Sequence, residues 1–183
     1  MALEFAEYEY NSSDNAKDFI DNLKSELYRY NKNPDKLNFI DTVREYIQSE
    51  KDEHLKTCKN KDSCYELKDY SKILYFLSSL SEDYGVKLDN SDIFSKEEKY
   101  NYDDKLDKIL HDLSELKKGQ ELIYDDLDNE IQDLKKLYFL GKKNWKQLLA
   151  GKTIEMITGG MISESISKDL LKMTEIVTDK LLT

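Results

Sequence analysis

Apolar side chains recur at helical spacing along most of the chain. Ala16, Phe19, Ile20, Leu23, Leu27 and Tyr30 mark one face of a helix over 14–30. Ser13 or Asp14 can cap it. Asn33-Pro34 starts a second helix, because proline loses nothing by lacking an N–H in a first turn. Leu37, Ile40, Val43 and Ile47 give that helix its face, and it runs to about Thr57. A polar connection from Cys58 to Cys64 follows, with Ser63 as the cap of a third helix. Tyr70, Ile73, Leu74, Leu77, Leu80 and Tyr84 point inward on it, and Gly85 sits just past its end. Upstream, Leu3, Phe5, Tyr8 and Tyr10 fit neither the helical nor the strand period. Residues 1–13 therefore read as an extended lead-in or a frayed helix.

The strongest pattern comes next. Ser95 and Glu98 form a capping-box signature. A seven-residue register then places Leu106, Leu113, Gln120, Leu127 and Leu134 at one seam position. Tyr102, Ile109, Leu116, Ile123, Glu130 and Leu137 occupy the other, and nine of the eleven positions are apolar or aromatic. That density predicts one long coiled-coil-like helix over 95–140, about 65 Å in extent. Such a helix needs a partner, either a second copy of the chain or the helices that precede it. Gln120 and Glu130 interrupt the seam, and buried polar seam residues can set register and oligomeric state.

The last segment, 141–183, differs. It holds four of the six glycines, Gly141, Gly151, Gly159 and Gly160. Its charge is 7 − 5 = +2, against 6 − 11 = −5 for residues 101–140. A domain boundary is expected at Gly141, then a short helix from Trp145 to Ala150 capped by Asn144. Gly159-Gly160 reads as a hairpin turn or, in preference, as a break between two helical stretches, the second over about 161–181. The chain thus reads as all-α in three parts: a helical unit over 1–94, a heptad helix over 95–140, and a Gly-punctuated helical segment over 141–183.

Composition narrows function. The 183 residues carry a net charge of −10, with 36% charged and 39% hydrophobic side chains. Mean hydropathy is −0.76. The longest uncharged stretch, Ile73 to Ser81, is nine residues, far short of the roughly 20 that span a bilayer. The opening MALEFAEYEY lacks the basic and apolar regions of an export signal. Two cysteines without such a signal point to the reducing cytoplasm. Arg29 and Arg44 are the only arginines, which disfavours forked recognition of duplex DNA.

Candidate chemistry is sparse. His54 and Cys58 share a helix face, and Cys64 follows a short loop that can return to it. The three are free thiols and a histidine, ligands of a metal such as zinc, or a site of reversible disulfide formation. A tetrahedral zinc would want a fourth ligand, for which His111 or Asp62 would serve. No cofactor is otherwise expected. Gly151-Lys152-Thr153 resembles the end of a phosphate loop but lacks its upstream glycine and strand. Asp125, Asp126, Asp128 and Glu130 lack the sixth-position glycine of a calcium loop. No nucleophile elbow accompanies His54 or His111. Lys142, Lys143, Trp145, Lys146 and Lys152 form a basic aromatic stretch. It suits packing against the acidic helix, protein docking, or contact with a membrane surface or nucleic acid.

The leading expectation is a non-catalytic, cytoplasmic adaptor or regulatory module that self-associates and docks a protein partner. The interaction residues are Leu106, Ile109, Leu113, Leu116, Ile123, Leu127, Leu134 and Leu137, with Lys142, Lys143, Trp145 and Lys146. The alternatives are a peripheral membrane protein using 141–166 and a metal-binding protein using His54, Cys58 and Cys64. Nucleic acid is not an expected partner.

Overall fold

The structure, a computed structural model, describes residues 1–116 and 121–174, and omits the side chains of residues 90, 115, 116 and 121–124. All regular elements among them are helical, so the protein is all-α. The chain divides into two compact units, Met1–Asp89 and Asn90–Thr183.

The first unit holds α1 (Ala2–Ser12), α2 (Ala16–Leu27), α3 (Asn33–Thr57) and α4 (Tyr65–Asp83). Residues 1–12 are a packed helix. Ala6 is buried, Phe5 meets the rings of Phe19 and Phe39, and Tyr10 stacks on Tyr70. These contacts are tertiary, which is why the local period did not reveal them. The cap of α2 is Asn15, whose side chain accepts from the N–H groups of Lys17 and Asp18; Ser13 instead ends α1. Helix α3 includes Asn33 in its first turn, preceded by Lys32. Its long face (Leu37, Ile40, Val43, Ile47) packs antiparallel on Leu67, Tyr70, Ile73 and Leu77 of α4. A Gly85 backbone at φ 89° closes α4, with Val86 N–H donating to Ser81 O and Gly85 N–H to Glu82 O.

The second unit holds α5 (Lys96–Leu116), α6 (Glu121–Lys135), α7 (Lys142–Thr158) and α8 (Glu164–Thr174), with 3₁₀ turns at Asn90–Asp92 and Tyr138–Leu140. The capping box forms as expected. Ser95 N–H donates to Glu98 Oε2 at 2.7 Å, and Glu98 N–H donates to Ser95 Oγ at 3.1 Å. The single helix expected over 95–140 does not. On one straight helix Asp107 and Lys135 would lie about 42 Å apart; here they form an ion pair. Tyr138 donates to Asp103 at 2.9 Å, and Lys142 reaches Glu98 at 2.7 Å. Helices α5 and α6 are therefore an antiparallel pair. Folding back lets both halves of the apolar stripe bury in their own chain. Of the two seam interruptions, Gln120 lies outside the described residues, and Glu130 lies on α6.

Gly141 is not a core boundary. Trp145 and Leu149 beyond it share one cluster with Leu106, Leu127 and Leu134 before it. Helix α7 starts at Lys142 and runs through Gly151, longer than the Trp145–Ala150 helix expected. Its first turn is capped from outside, by Lys143 N–H donating to Asp92 Oδ1 at 2.8 Å, and not by Asn144. Gly159-Gly160 does separate two helices. Gly160 takes φ 65°, with Met161 N–H donating to Met156 O. Helix α8 begins at Glu164, and the expected stretch 175–181 lies outside the described residues.

Candidate metal centre

The α3–α4 turn brings together the three residues that the sequence singled out. His54 lies in the last turn of α3, Cys58 is its C-cap, and Cys64 is the N-cap of α4. Ser63 does not take that cap. The imidazole and the two sulfurs each offer a donor atom, and all lie within 4.8 Å of one another. His54 Nε2 is 3.2 Å from Cys64 Sγ. Its Nδ1 sits 2.8 Å from Glu66 Oε2, so Glu66 holds the Nδ1 proton and turns Nε2 toward the sulfurs. The His54 ring also meets Tyr70 at 6.0 Å. All three donors are half-buried, while the loop 59–63 between the cysteines is exposed.

The two thiols differ. The N–H of Leu67 favours the Cys64 thiolate and holds that thiol below its ordinary range, against some burial, with His54, Cys58 and the N–H of Glu66 assisting. The Cys64 side chain makes no cap hydrogen bond at the start of α4. Burial pushes the Cys58 thiol up, and the neighbouring Cys64 sulfur adds to that, against a backbone contact from Asn60. Position accounts for the Cys64 effect, since that residue is the N-cap of α4, where backbone N–H groups favour a thiolate.

Neither proposed fourth ligand joins the cluster among the described residues. Asp62 is in the exposed loop, and His111 is in the other unit. Glu66 was missed by sequence reasoning. It lies twelve residues from His54, on another helix, and only the turn geometry pairs them.

The remaining candidates are placed as follows. Leu106, Ile109, Leu113, Leu127 and Leu134 are buried in the second unit's own core, and Leu137 packs against it. The side chains of Leu116 and Ile123 lie outside the described residues. Trp145 is fully buried, and its Nε1–H donates to Leu134 O at 2.8 Å. Phe94, Tyr102 and Tyr138 surround it at ring separations of 5.0–5.6 Å. Trp145 is thus a core anchor. Lys142 pairs with Glu98, and Lys152 lies 3.4 Å from Glu130, a polar seam residue. The side chain of Lys143 is exposed, and Lys146 is half-buried. Gly151-Lys152-Thr153 is helix interior, with Thr153 Oγ1 donating to Leu149 O, so it is no phosphate loop. Asp125, Asp126 and Asp128 are solvated on α6. No helix among the described residues is long and apolar enough to cross a membrane.

No protein-family model, curated protein or solved structure matches the chain.

Proposed function

We propose that the protein is a non-catalytic helical metal-binding protein, with His54, Cys58 and Cys64 as ligands to zinc and Glu66 orienting the histidine. One observation carries this reading: three donor atoms of zinc-binding type gathered within 4.8 Å, with the imidazole's other nitrogen already held by a carboxylate. Zinc lies about 2.3 Å from thiolate sulfur and about 2.0 Å from imidazole nitrogen, which spaces tetrahedral donors about 3.5 Å apart. The His54–Cys64 separation of 3.2 Å is close to that. Two sulfurs and one imidazole select zinc over the hard cations magnesium and calcium. Three protein ligands leave one position for water. A metal here would clamp the ends of α3 and α4 across a loop with no apolar packing of its own.

A second reading uses the same atoms. Cys64, His54 and Glu66 lie in the order of a nucleophile, a base and its orienting acid. What favours metal is the second sulfur.

Cobalt titration of the reduced protein tests the proposal. One equivalent should bind with the intense visible bands of a tetrahedral thiolate site, and Cys64→Ser should abolish them. Less than a tenth of an equivalent of zinc after dialysis against zinc would sink the reading. Covalent capture of Cys64 by a thioester substrate analogue, blocked by His54→Ala, would favour the second.

A further inference from the structure

We propose that Cys58 and Cys64 are also a reversible redox pair, and that joining them as a disulfide under peroxide empties the metal site. The inference rests on the metal reading above and adds a means of controlling it. The two sulfurs belong to facing caps, at the C-terminus of α3 and the N-terminus of α4, and lie within 4.8 Å of each other. They are the only cysteines in the chain, so no other intramolecular pairing competes. Both are half-buried and reachable from solvent, and the five residues between them are all exposed. The loop can therefore tighten without breaking either core. Closing the last gap requires side-chain rotation and small adjustments at two helix ends, where backbone ladders are already finished.

The chemistry balances. One sulfur attacks hydrogen peroxide, forming an S–O bond as the O–O bond breaks and water leaves. The second sulfur then attacks that sulfenic acid, forming the S–S bond as the S–O bond breaks and a second water leaves. Two thiols and one peroxide give one disulfide and two waters. A dithiol reductant reverses the step. The pair and the metal exclude each other, because zinc binds thiolates and a disulfide offers none. His54 alone would remain as a ligand.

Peptide mapping tests this on the full chain. Lys59 and Lys61 separate the cysteines, so trypsin releases them on different peptides, 57–59 and 62–68. In metal-free folded protein treated with hydrogen peroxide, these peptides should be recovered linked, two hydrogens lighter than their sum, in nearly every chain. Dithiothreitol should separate them. One equivalent of zinc should slow the linkage at least tenfold, and zinc-loaded protein should release its metal in step with it. Absence of the link in metal-free protein, or linkage between chains instead, overturns the redox pair. Zinc retained in fully linked protein overturns the coupling. Zinc that never binds overturns the coupling together with the metal reading. It is told apart from failure of the pair because the linked peptide still forms.

Discussion

Arg44 on α3 is only 7% exposed, and its guanidinium is bonded within the first unit's core region. Nη2 donates to Ser81 Oγ at 2.7 Å and to Leu77 O at 3.2 Å, and Nη1 lies 3.5 Å from Asp41 Oδ1. Burial lowers its affinity for the proton, and Asp41 opposes that. Removing the carboxylate strands a buried cation, so Asp41→Ala should destabilise the first unit by about 3 kcal/mol in chemical denaturation. Trp145 makes the equivalent case in the second unit. It is fully buried, with its N–H satisfied, and Trp145→Ala should cost about 3–5 kcal/mol. Glu66 differs from both. It is 62% exposed, so Glu66→Ala should leave the metal-free melting temperature unchanged within error. It should weaken zinc binding about 10–100-fold, because an unheld imidazole loses orientation. Competition with a chelator of known affinity measures this, and unchanged affinity would remove Glu66 from the site. At this scale the sequence pointed to the three clustered side chains, His54, Cys58 and Cys64, but not to the carboxylate beside them. His54 and Cys58 are one helical turn apart, whereas Glu66 reaches them only across a turn that no local period describes.

Among elements, the start of α5 and the start of α7 are joined through one ion pair, Lys142 to Glu98. Burial pushes the Glu98 carboxyl up, but Lys142 and the Ser95 cap outweigh it and hold the group below its ordinary 4.5. A depressed carboxylate contributes above its unfolded value and loses that contribution as pH falls through the folded one. Glu98 is 40% exposed, so water screens the pair and the effect is about 0.5 kcal/mol. Glu98→Gln should lower the stability of the second unit near pH 7 and narrow its difference from the unchanged protein below about pH 4. A difference that persists at pH 3 would show that the loss came from the cap and not from charge. The helices themselves were legible: every amphipathic stripe from Ala16 onward that falls in described residues lies on a helix. The direction of the chain between stripes was not. A heptad repeat is satisfied equally by a second copy or by its own second half folded back. Burial of Leu106, Leu113, Leu127 and Leu134 in one cluster with Trp145 shows the second solution, which needs tertiary contacts to detect. Tyrosines two residues apart, at 8 and 10, 28 and 30, and 100 and 102, show the same limit. Tyr10, Tyr30 and Tyr102 make ring contacts inside their units, while Tyr8, Tyr28 and Tyr100 are 70–86% exposed.

For the whole molecule, two cores with no shared member predict two thermal responses to one ligand. The proposed metal ligands all belong to the first unit, and the single tryptophan belongs to the second. Zinc that binds only the folded first unit stabilises it by about 2.7 kcal/mol when free metal is a hundredfold above its dissociation constant. For a unit of this size that raises the midpoint by at least about 10 °C. Far-UV circular dichroism, which sees both units, should show part of its transition move upward with zinc and return with a chelator. Trp145 emission sees only the second unit and should keep its midpoint. A tryptophan transition that moves by the full amount would mean that the chain unfolds as one cooperative body. A dichroism transition that does not move at all would mean that the cluster holds no metal in the folded state. Cys58→Ser, which removes one donor at a half-buried helix cap, should abolish the shift while leaving the metal-free transition in place. The response then depends on the donor set itself and not on a general effect of divalent cations on a chain of net charge −10.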